Sequence, residues 1–131
     1  MRLLLDTHIF LWSIKENPAL PAFVREAIGD PVTELFLSVA SVWEMAIKTA
    51  LGKMNFPIER TTAILEQTNC TPLAISIDHA IEASRLPHHH GDPFDRMLVA
   101  QARREGLTLV TTDKAIRLYA VSVLGEESRA D

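Results

Sequence analysis

The segment Leu3-Leu4-Leu5-Asp6 joins a short apolar run to an acid that follows it directly. An uninterrupted apolar run is typical of a strand in a parallel sheet, which is covered by helices on both faces. Three residues are too few for a signal peptide or a membrane span, so we expect a soluble, cytoplasmic protein. The segment therefore predicts the first strand of the fold, with Asp6 at its carboxyl end.

Similar apolar runs recur along the chain and alternate with helical patterns. The predicted strands are Leu3–Leu5, Leu35–Val39, Leu107–Val110 and Ala120–Leu124, with a weaker one at Pro72–Ser76. The predicted helices lie near residues 8–15, 20–29, 40–51, 58–68, 78–85 and 93–105. Alternation of this kind predicts an α/β fold, a three-layer α/β/α sandwich with a mainly parallel sheet.

Composition limits the class of protein. The 131 residues, 47% hydrophobic and 23% charged, fit a single domain over 1–131, with 125–131 as a polar, flexible tail. Cys70 is the one cysteine, so no intramolecular disulfide is possible, which suits a reducing cytoplasm. The net charge of −4 argues against a module that holds nucleic acid by charge alone, and leaves open an enzyme with a local site.

Four acids are expected to meet at one edge of the sheet. Asp6 and Asp113 each follow a predicted strand, and ligands of open parallel sheets bind beyond the carboxyl ends of the strands. Glu44 lies about one turn into the helix after the second strand, and Asp95 lies in the first turn of the helix that begins at Pro93. Both helices are expected to begin at this same edge.

Carboxylates gathered in this way repel one another unless a cation neutralises them. Hard oxygen ligands favour Mg²⁺ or Mn²⁺ over zinc. In phosphodiester cleavage such an ion activates water and stabilises charge on the phosphate. We therefore predict that Asp6, Glu44, Asp95 and Asp113 are both catalytic and metal-binding residues, with either one or two ions.

Each acid also has an ordinary structural explanation. Asp6 suits a turn after a strand, and Glu44 suits an ion pair with Lys48 four residues later. Asp95 is favoured by the helix dipole, and Asp113 can cap the short turn that follows it. The shared placement of the four, rather than any one of them, favours a site.

Two neighbouring features are interpreted structurally. Asp92 precedes Pro93 and is expected to cap the helix, so we leave it out of the metal ligands. Three consecutive histidines, His88, His89 and His90, cannot all point the same way from a loop. We expect this loop to be solvated and to line the entrance of the site.

Four segments carry a resemblance to a known family. They are Leu3-Leu4-Leu5-Asp6-Thr7-His8, Ser38-Val39-Ala40-Ser41-Val42-Trp43-Glu44, Asp92-Pro93-Phe94-Asp95-Arg96-Met97-Leu98-Val99-Ala100-Gln101-Ala102 and Leu109-Val110-Thr111-Thr112-Asp113. They resemble the PIN domain, and in particular the VapC-type toxins of bacterial toxin–antitoxin pairs. The resemblance implies a metal-dependent endoribonuclease that is blocked by a cognate antitoxin and pairs as a homodimer, with Asp6, Glu44, Asp95 and Asp113 as its acidic set.

The resemblance also suggests supporting residues. Thr7, Ser38 and Thr112 lie beside the acids in sequence and are expected to orient them by hydrogen bonds. Arg96 is a candidate phosphate contact, because a guanidinium matches phosphate geometry. The apolar helix Ala40–Leu51 and the surroundings of Trp12 agree with a homodimer.

Three other functions are weighed against this one. A phosphatase of the haloacid dehalogenase type needs a second acid two residues after the first, where this chain has His8. A receiver-like signalling module needs paired acids near the end of the first strand and has no counterpart of the Glu44 helix. A non-catalytic RNA-binding module would not require all four acids.

Overall fold

The structure is a computed structural model that describes residues 1–125. The strands are β1 (Arg2–Leu5), β2 (Glu34–Ser38), β3 (Cys70–Leu73), β4 (Thr108–Val110) and β5 (Val123–Leu124). The helices are α1 (Thr7–Ile14), α2 (Ala22–Gly29), α3 (Val39–Ala50), α4 (Thr61–Gln67), α5 (Ile77–Arg85) and α6 (Pro93–Glu105). Single 3₁₀ turns lie at Ile58–Arg60 and Ile116–Leu118.

The five strands form one parallel sheet in the order β3-β2-β1-β4-β5. Because successive side chains of a strand point to opposite faces, β1 divides its leucines between two cores. Leu3 and Leu5 pack with α1 to α4, whereas Leu4 packs with α6 and the 3₁₀ turn at Ile116–Leu118. The prediction of a three-layer α/β/α sandwich with a parallel sheet is confirmed.

Three helices begin at the carboxyl edge of the sheet, each with a polar cap. Asp6 accepts a hydrogen bond from the Ile9 amide (2.8 Å) at the start of α1, and Ser38 accepts one from the Ala40 amide (3.0 Å) at the start of α3. Asp92 accepts one from the Phe94 amide (2.8 Å) at the start of α6. Such caps satisfy amides that have no partner within the helix. The predicted capping role of Asp92 is confirmed.

Element boundaries differ from the predictions mainly at the edge strands. The strand predicted at Pro72–Ser76 is β3, at Cys70–Leu73, because Ser76 caps α5 instead. The strand predicted at Ala120–Leu124 shortens to β5, because a tight turn joins the Val121 amide to the Tyr119 carbonyl (2.9 Å). Gly125 is buried rather than part of a loose tail, and the rest of the predicted tail, 126–131, lies outside the described residues. No helix within residues 1–125 is long and apolar enough to cross a membrane.

Candidate metal centre

The sheet brings the first and last predicted acids to the same edge. Asp6 directly follows β1, Asp113 follows β4, and these two strands are parallel neighbours. The Asp6 amide donates to the Val110 carbonyl (3.0 Å), which ties the two strand ends together. Asp6 and Asp113 are close enough for the charge of Asp113 to raise the pKa of Asp6.

The two helical acids face this edge from α3 and α6. The residues that precede them, Trp43 and Phe94, contact each other edge to face with ring centroids 5.6 Å apart. The charges of Asp6 and Glu44 both raise the pKa of Asp95. Each of the four acids therefore lies close enough to another of them for their charges to interact, as the placement of the strands and helices predicted.

Asp6 and Glu44 form the buried side of the site. Burial raises the pKa of Asp6, although hydrogen bonds from the Thr111 hydroxyl and the Ile9 amide oppose the shift. Glu44 is 7% exposed, and its Oε1 accepts the Thr7 hydroxyl (2.7 Å). Its Oε2 accepts a hydrogen bond from the ammonium of Lys48 (3.0 Å). Glu44 therefore forms the ion pair with Lys48 and also lies among the clustered acids.

Asp95 is the acid most altered by its surroundings. Burial raises its pKa to about 7, and the neighbouring charge of Asp92 adds to the effect, followed by those of Asp6 and Glu44. The imidazole of His90 acts in the opposite direction. The Asp95 carboxyl therefore keeps its proton at pH values where an ordinary aspartate is ionised, because its pKa is raised.

His90 joins the site, which the sequence analysis did not anticipate. Its Nε2 lies 2.8 Å from Asp113 Oδ2 and 3.2 Å from Asp95 Oδ2. Among the described residues, His90, Asp95 and Asp113 form one group whose potential ligand atoms all lie within 4.8 Å of one another. Burial alone would lower the pKa of His90, but the hydrogen bond to Asp113 and the charges of the nearby aspartates raise it overall. The expectation of a solvated loop fits only the exposed His88 and His89.

Asp113 is held differently from Asp95. Burial raises its pKa, but the hydrogen bonds from His90 and from the Ala115 amide (2.9 Å to Oδ1) outweigh burial and lower it overall. Asp113 thus also caps the short turn that follows it, as its position in the sequence predicted. The imidazole stabilises the ionised form of Asp113, whereas burial raises the pKa of Asp95 beside it to about 7.

The three residues predicted to orient the acids, Thr7, Ser38 and Thr112, have different roles in the structure. Thr7 orients Glu44 as expected. Ser38 is fully buried and caps α3, so it acts on the backbone that leads to Glu44. Thr112 is exposed, and the role predicted for it belongs to its neighbour Thr111. The Thr111 hydroxyl forms a hydrogen bond with Asp6 and accepts one from the Asp113 amide (3.0 Å).

The guanidinium of Arg96 contacts backbone carbonyls at and before the loop that leads into α6. It donates to the carbonyls of Ala83 (2.9 Å), Leu86 (3.0 Å) and Pro87 (2.9 Å). Its Nη1 also lies 3.3 Å from the Tyr119 hydroxyl. These contacts use the donors that a phosphate would need, so the geometry does not favour the predicted phosphate contact and instead makes Arg96 a support for the loop before α6.

The donor set fits Mg²⁺ or Mn²⁺. It consists mainly of carboxylate oxygens, the ligands that these hard ions prefer. Among the described residues, Lys48, His90 and His8 are the basic neighbours of the four acids, and burial together with repulsion between acids raises the pKa values of Asp6 and Asp95. A divalent cation would supply the missing positive charge.

Fold and site together define a class: three-layer α/β proteins with an acidic site at the carboxyl edge of a parallel sheet. A family model described as the PIN domain matches residues 3–122, and the chain belongs to this family. This confirms the family recognised from the four sequence segments. It also removes the phosphatase and receiver-like alternatives, which are different families.

Solved structures of toxin–antitoxin complexes share the fold. A chain of VapBC2 from Rickettsia felis, bound to a promoter DNA fragment, has a TM-score of 0.71 at 14% identity, covering 97% of this chain and 100% of that one. A chain of VapBC-1 from nontypeable Haemophilus influenzae has a TM-score of 0.65 at 20% identity, covering 95% and 97%. FitAcB from Neisseria gonorrhoeae has a TM-score of 0.63 at 17% identity, covering 94% and 96%. A search of curated protein sequences finds no match.

Proposed function

We propose that this protein is a Mg²⁺- or Mn²⁺-dependent endoribonuclease that acts as the toxin of a toxin–antitoxin pair. The observation that carries the proposal is the gathering of Asp6, Glu44, Asp95 and Asp113 at one sheet edge, with the pKa of Asp95 raised to about 7. Membership of the PIN family and the toxin–antitoxin complexes among its structural neighbours support it.

In this proposal Asp6, Glu44, Asp95 and Asp113 hold the cation. When bound, the ion would supply a Lewis acid for the phosphate and lower the pKa of a water molecule. The protein supplies the fixed geometry: Thr7 and Lys48 hold the two oxygens of Glu44, and Thr111 holds Asp6. Such secondary hydrogen bonds keep ligands oriented before the substrate arrives.

The proposed partners are RNA, a cognate antitoxin in the cytoplasm and a second copy of the chain. One face of α3 exposes an apolar stripe with a spacing of four residues: Val39, Trp43, Ile47 and Leu51. Residues four apart lie on the same side of a helix, and a contiguous apolar stripe at the surface favours an interface. A homodimer is therefore expected, and light scattering that gives a monomer mass at micromolar concentration would contradict it.

Cleavage of one RNA by the purified chain tests the proposed activity. Chelator should abolish cleavage, and added Mg²⁺ or Mn²⁺ should restore it. Asp95→Asn should lower the rate at fixed metal concentration by about a hundredfold or more, because a ligand charge is lost. Asp92→Asn is the matched control three residues away, since asparagine caps a helix about as well as aspartate.

Each outcome decides between assignments. Cleavage that persists in chelator with both variants would refute the metal-dependent nuclease. An inactive Asp92→Asn beside an active Asp95→Asn would show that the two neighbouring acids are assigned in the wrong order. Absence of cleavage under every condition would favour the non-catalytic RNA-binding module.

A further inference from the structure

Of the three consecutive histidines before α6, one faces the acids. His88 is exposed, and the ring of exposed His89 packs edge to face on Tyr119 with centroids 5.0 Å apart. The ring of His90 turns inward and places Nε2 between Oδ2 of Asp95 and Oδ2 of Asp113. Three identical side chains in one loop thus have three different environments.

Hydrogen bonds at both ring nitrogens define the tautomer of His90. Its Nδ1 lies 3.0 Å from the Asp92 amide, which is a donor, so Nδ1 must accept and carries no proton. The remaining ring proton then belongs on Nε2, which donates to Asp113 Oδ2 (2.8 Å) and lies 3.2 Å from Asp95 Oδ2. In this arrangement Nε2 has no free lone pair for a metal ion.

The loop is built to hold the ring in this position. The His90 amide donates to the Tyr119 hydroxyl (2.9 Å), and the Arg96 guanidinium also lies beside that hydroxyl (3.3 Å). Arg96 further bonds three carbonyls between Ala83 and Pro87, at the end of α5 and the start of the loop. The backbone at and before His90 is therefore anchored, and the Asp92 amide holds the imidazole through Nδ1.

We propose that His90 is a positioning residue of the metal centre: its Nε2–H bridges Asp95 and Asp113 and holds their carboxylates together for the cation, without itself being a ligand. This rests on the proposed function, because it takes these two aspartates as ligands. A carboxylate oxygen that accepts one N–H keeps a second lone pair. Both aspartates can thus bind the bridge and a cation together.

The bridge offsets an unfavourable arrangement. Oxygens of Asp95 and Asp113 lie within 4.8 Å of each other, where two negative charges repel. A donor shared between them reduces this repulsion and fixes their separation. Loss of such an outer hydrogen bond commonly weakens metal affinity by about 10- to 100-fold.

Titration of the full chain with Mn²⁺, followed by electron paramagnetic resonance of the free ion, measures the effect. His90→Ala should raise the Kd for Mn²⁺ about tenfold or more. His90→Gln should recover most of the affinity, because its amide N–H₂ reaches about as far as Nε2. His88→Ala is the matched control from the same loop and should bind like the wild type. Circular dichroism of each variant shows whether it is folded.

Pulsed resonance of the bound Mn²⁺ distinguishes a bridge from a ligand. The wild type should lack the ¹⁴N coupling of a directly coordinated imidazole. Such a coupling, lost in His90→Ala, would overturn the proposal and make His90 a ligand. Folded His90→Ala with an affinity equal to that of His88→Ala would also overturn it while leaving the proposed nuclease intact. A wild type that binds no Mn²⁺ would refute both proposals.

Discussion

Two groups of acids in this protein differ in how their charge is compensated. Between α5 and α6, each acid faces a basic partner. The pairs are Asp78 with Arg104 (3.3 Å), Glu82 with Arg103 (3.0 Å) and Glu105 with His79 (2.8 Å). At the carboxyl edge of the sheet, the basic neighbours of the four acids within residues 1–125 are Lys48 and the imidazoles of His8 and His90. In the first group Asp78 and Glu82 are each paired with an arginine, whereas in the second group Lys48 pairs with Glu44 alone.

The difference shows why clustering alone does not define a site. The paired acids tie two helices together at the surface, where ion pairs contribute little stability. At the sheet edge, burial and mutual repulsion raise the pKa values of Asp6 and Asp95, which is costly for folding. Such an unfavourable arrangement is typical of a functional site.

Neutralising one acid in each group should lower activity in one group and leave it unchanged in the other. Asp6→Asn should lower RNA cleavage by about a hundredfold or more, because it removes a ligand charge from the site. Glu82→Gln removes a charge of the same sign from the α5–α6 pairs and should leave the rate unchanged. Initial rates on one RNA at saturating Mg²⁺ measure both. If the two variants changed the cleavage rate equally, the sheet-edge acids would be no more important for activity than the α5–α6 pairs.

The hydroxyl that holds Glu44 should have a smaller effect. Thr7→Val keeps the shape of a buried side chain but loses the 2.7 Å hydrogen bond to Oε1. We expect about a tenfold weaker affinity for Mn²⁺, as for other outer hydrogen bonds to metal ligands. Thr68→Val removes a hydroxyl that bonds the Ile64 carbonyl (2.8 Å) far from the acids and is the control. Identical affinities would show that Glu44 needs no such support.

The raised pKa of Asp95 predicts a pH-dependent change in stability. Burial and the charges of Asp92, Asp6 and Glu44 raise this pKa to about 7 from the ordinary 3.8, against the opposing effect of His90. The folded protein therefore holds a proton that the unfolded chain releases, and this stabilisation disappears as the pH rises through about 7. In chelator, Asp95→Asn should unfold at a higher temperature than the wild type at pH 8, with a smaller difference at pH 5.

Scanning calorimetry at the two pH values measures this difference. Glu82→Gln is the control, because it removes an acidic charge of the α5–α6 pairs and leaves the surroundings of Asp95 unchanged. A lower unfolding temperature for Asp95→Asn at pH 8 would mean that the ionised carboxylate is stabilised by its surroundings. The negative charge of Asp95 would then be balanced by the protein itself, as in the α5–α6 pairs.

The smallest effect is expected for the surface pairs themselves. Asp78→Asn breaks the exposed ion pair with Arg104, and such pairs contribute between zero and about 1 kcal/mol. The free energy of unfolding in urea should change by no more than this amount, and less at high salt. A loss of several kcal/mol would show that these pairs are essential to the packing of α5 on α6.

Local patterns were enough to predict the sheet, the layers and the position of the four acids. Apolar runs defined the strands, and parallel strands place the residues that follow them at one edge, as for Asp6 and Asp113. The capping role of Asp92 followed from its place before Pro93. These features depend on neighbours in sequence, so the sequence was sufficient.

Features that depend on side-chain direction could not be predicted in this way. Nothing in His88-His89-His90 distinguishes the histidine that turns inward, because the anchors of the loop come from Tyr119 and Arg96. Thr111, rather than the predicted Thr112, supports the acids, because successive side chains after β4 point to opposite faces of the sheet. Arg96 has the chemistry of a phosphate contact, but carbonyls distant in sequence occupy its donors.

The most direct measurement is a calorimetric titration of the wild type, Asp95→Asn and Glu82→Gln with Mn²⁺ at one pH. If the uncompensated acids form the metal site, the wild type and Glu82→Gln should bind Mn²⁺ with the same affinity. Asp95→Asn should bind it at least tenfold more weakly, as expected when a charged ligand is lost. Equal binding by all three proteins, or no binding by the wild type, would contradict the metal site.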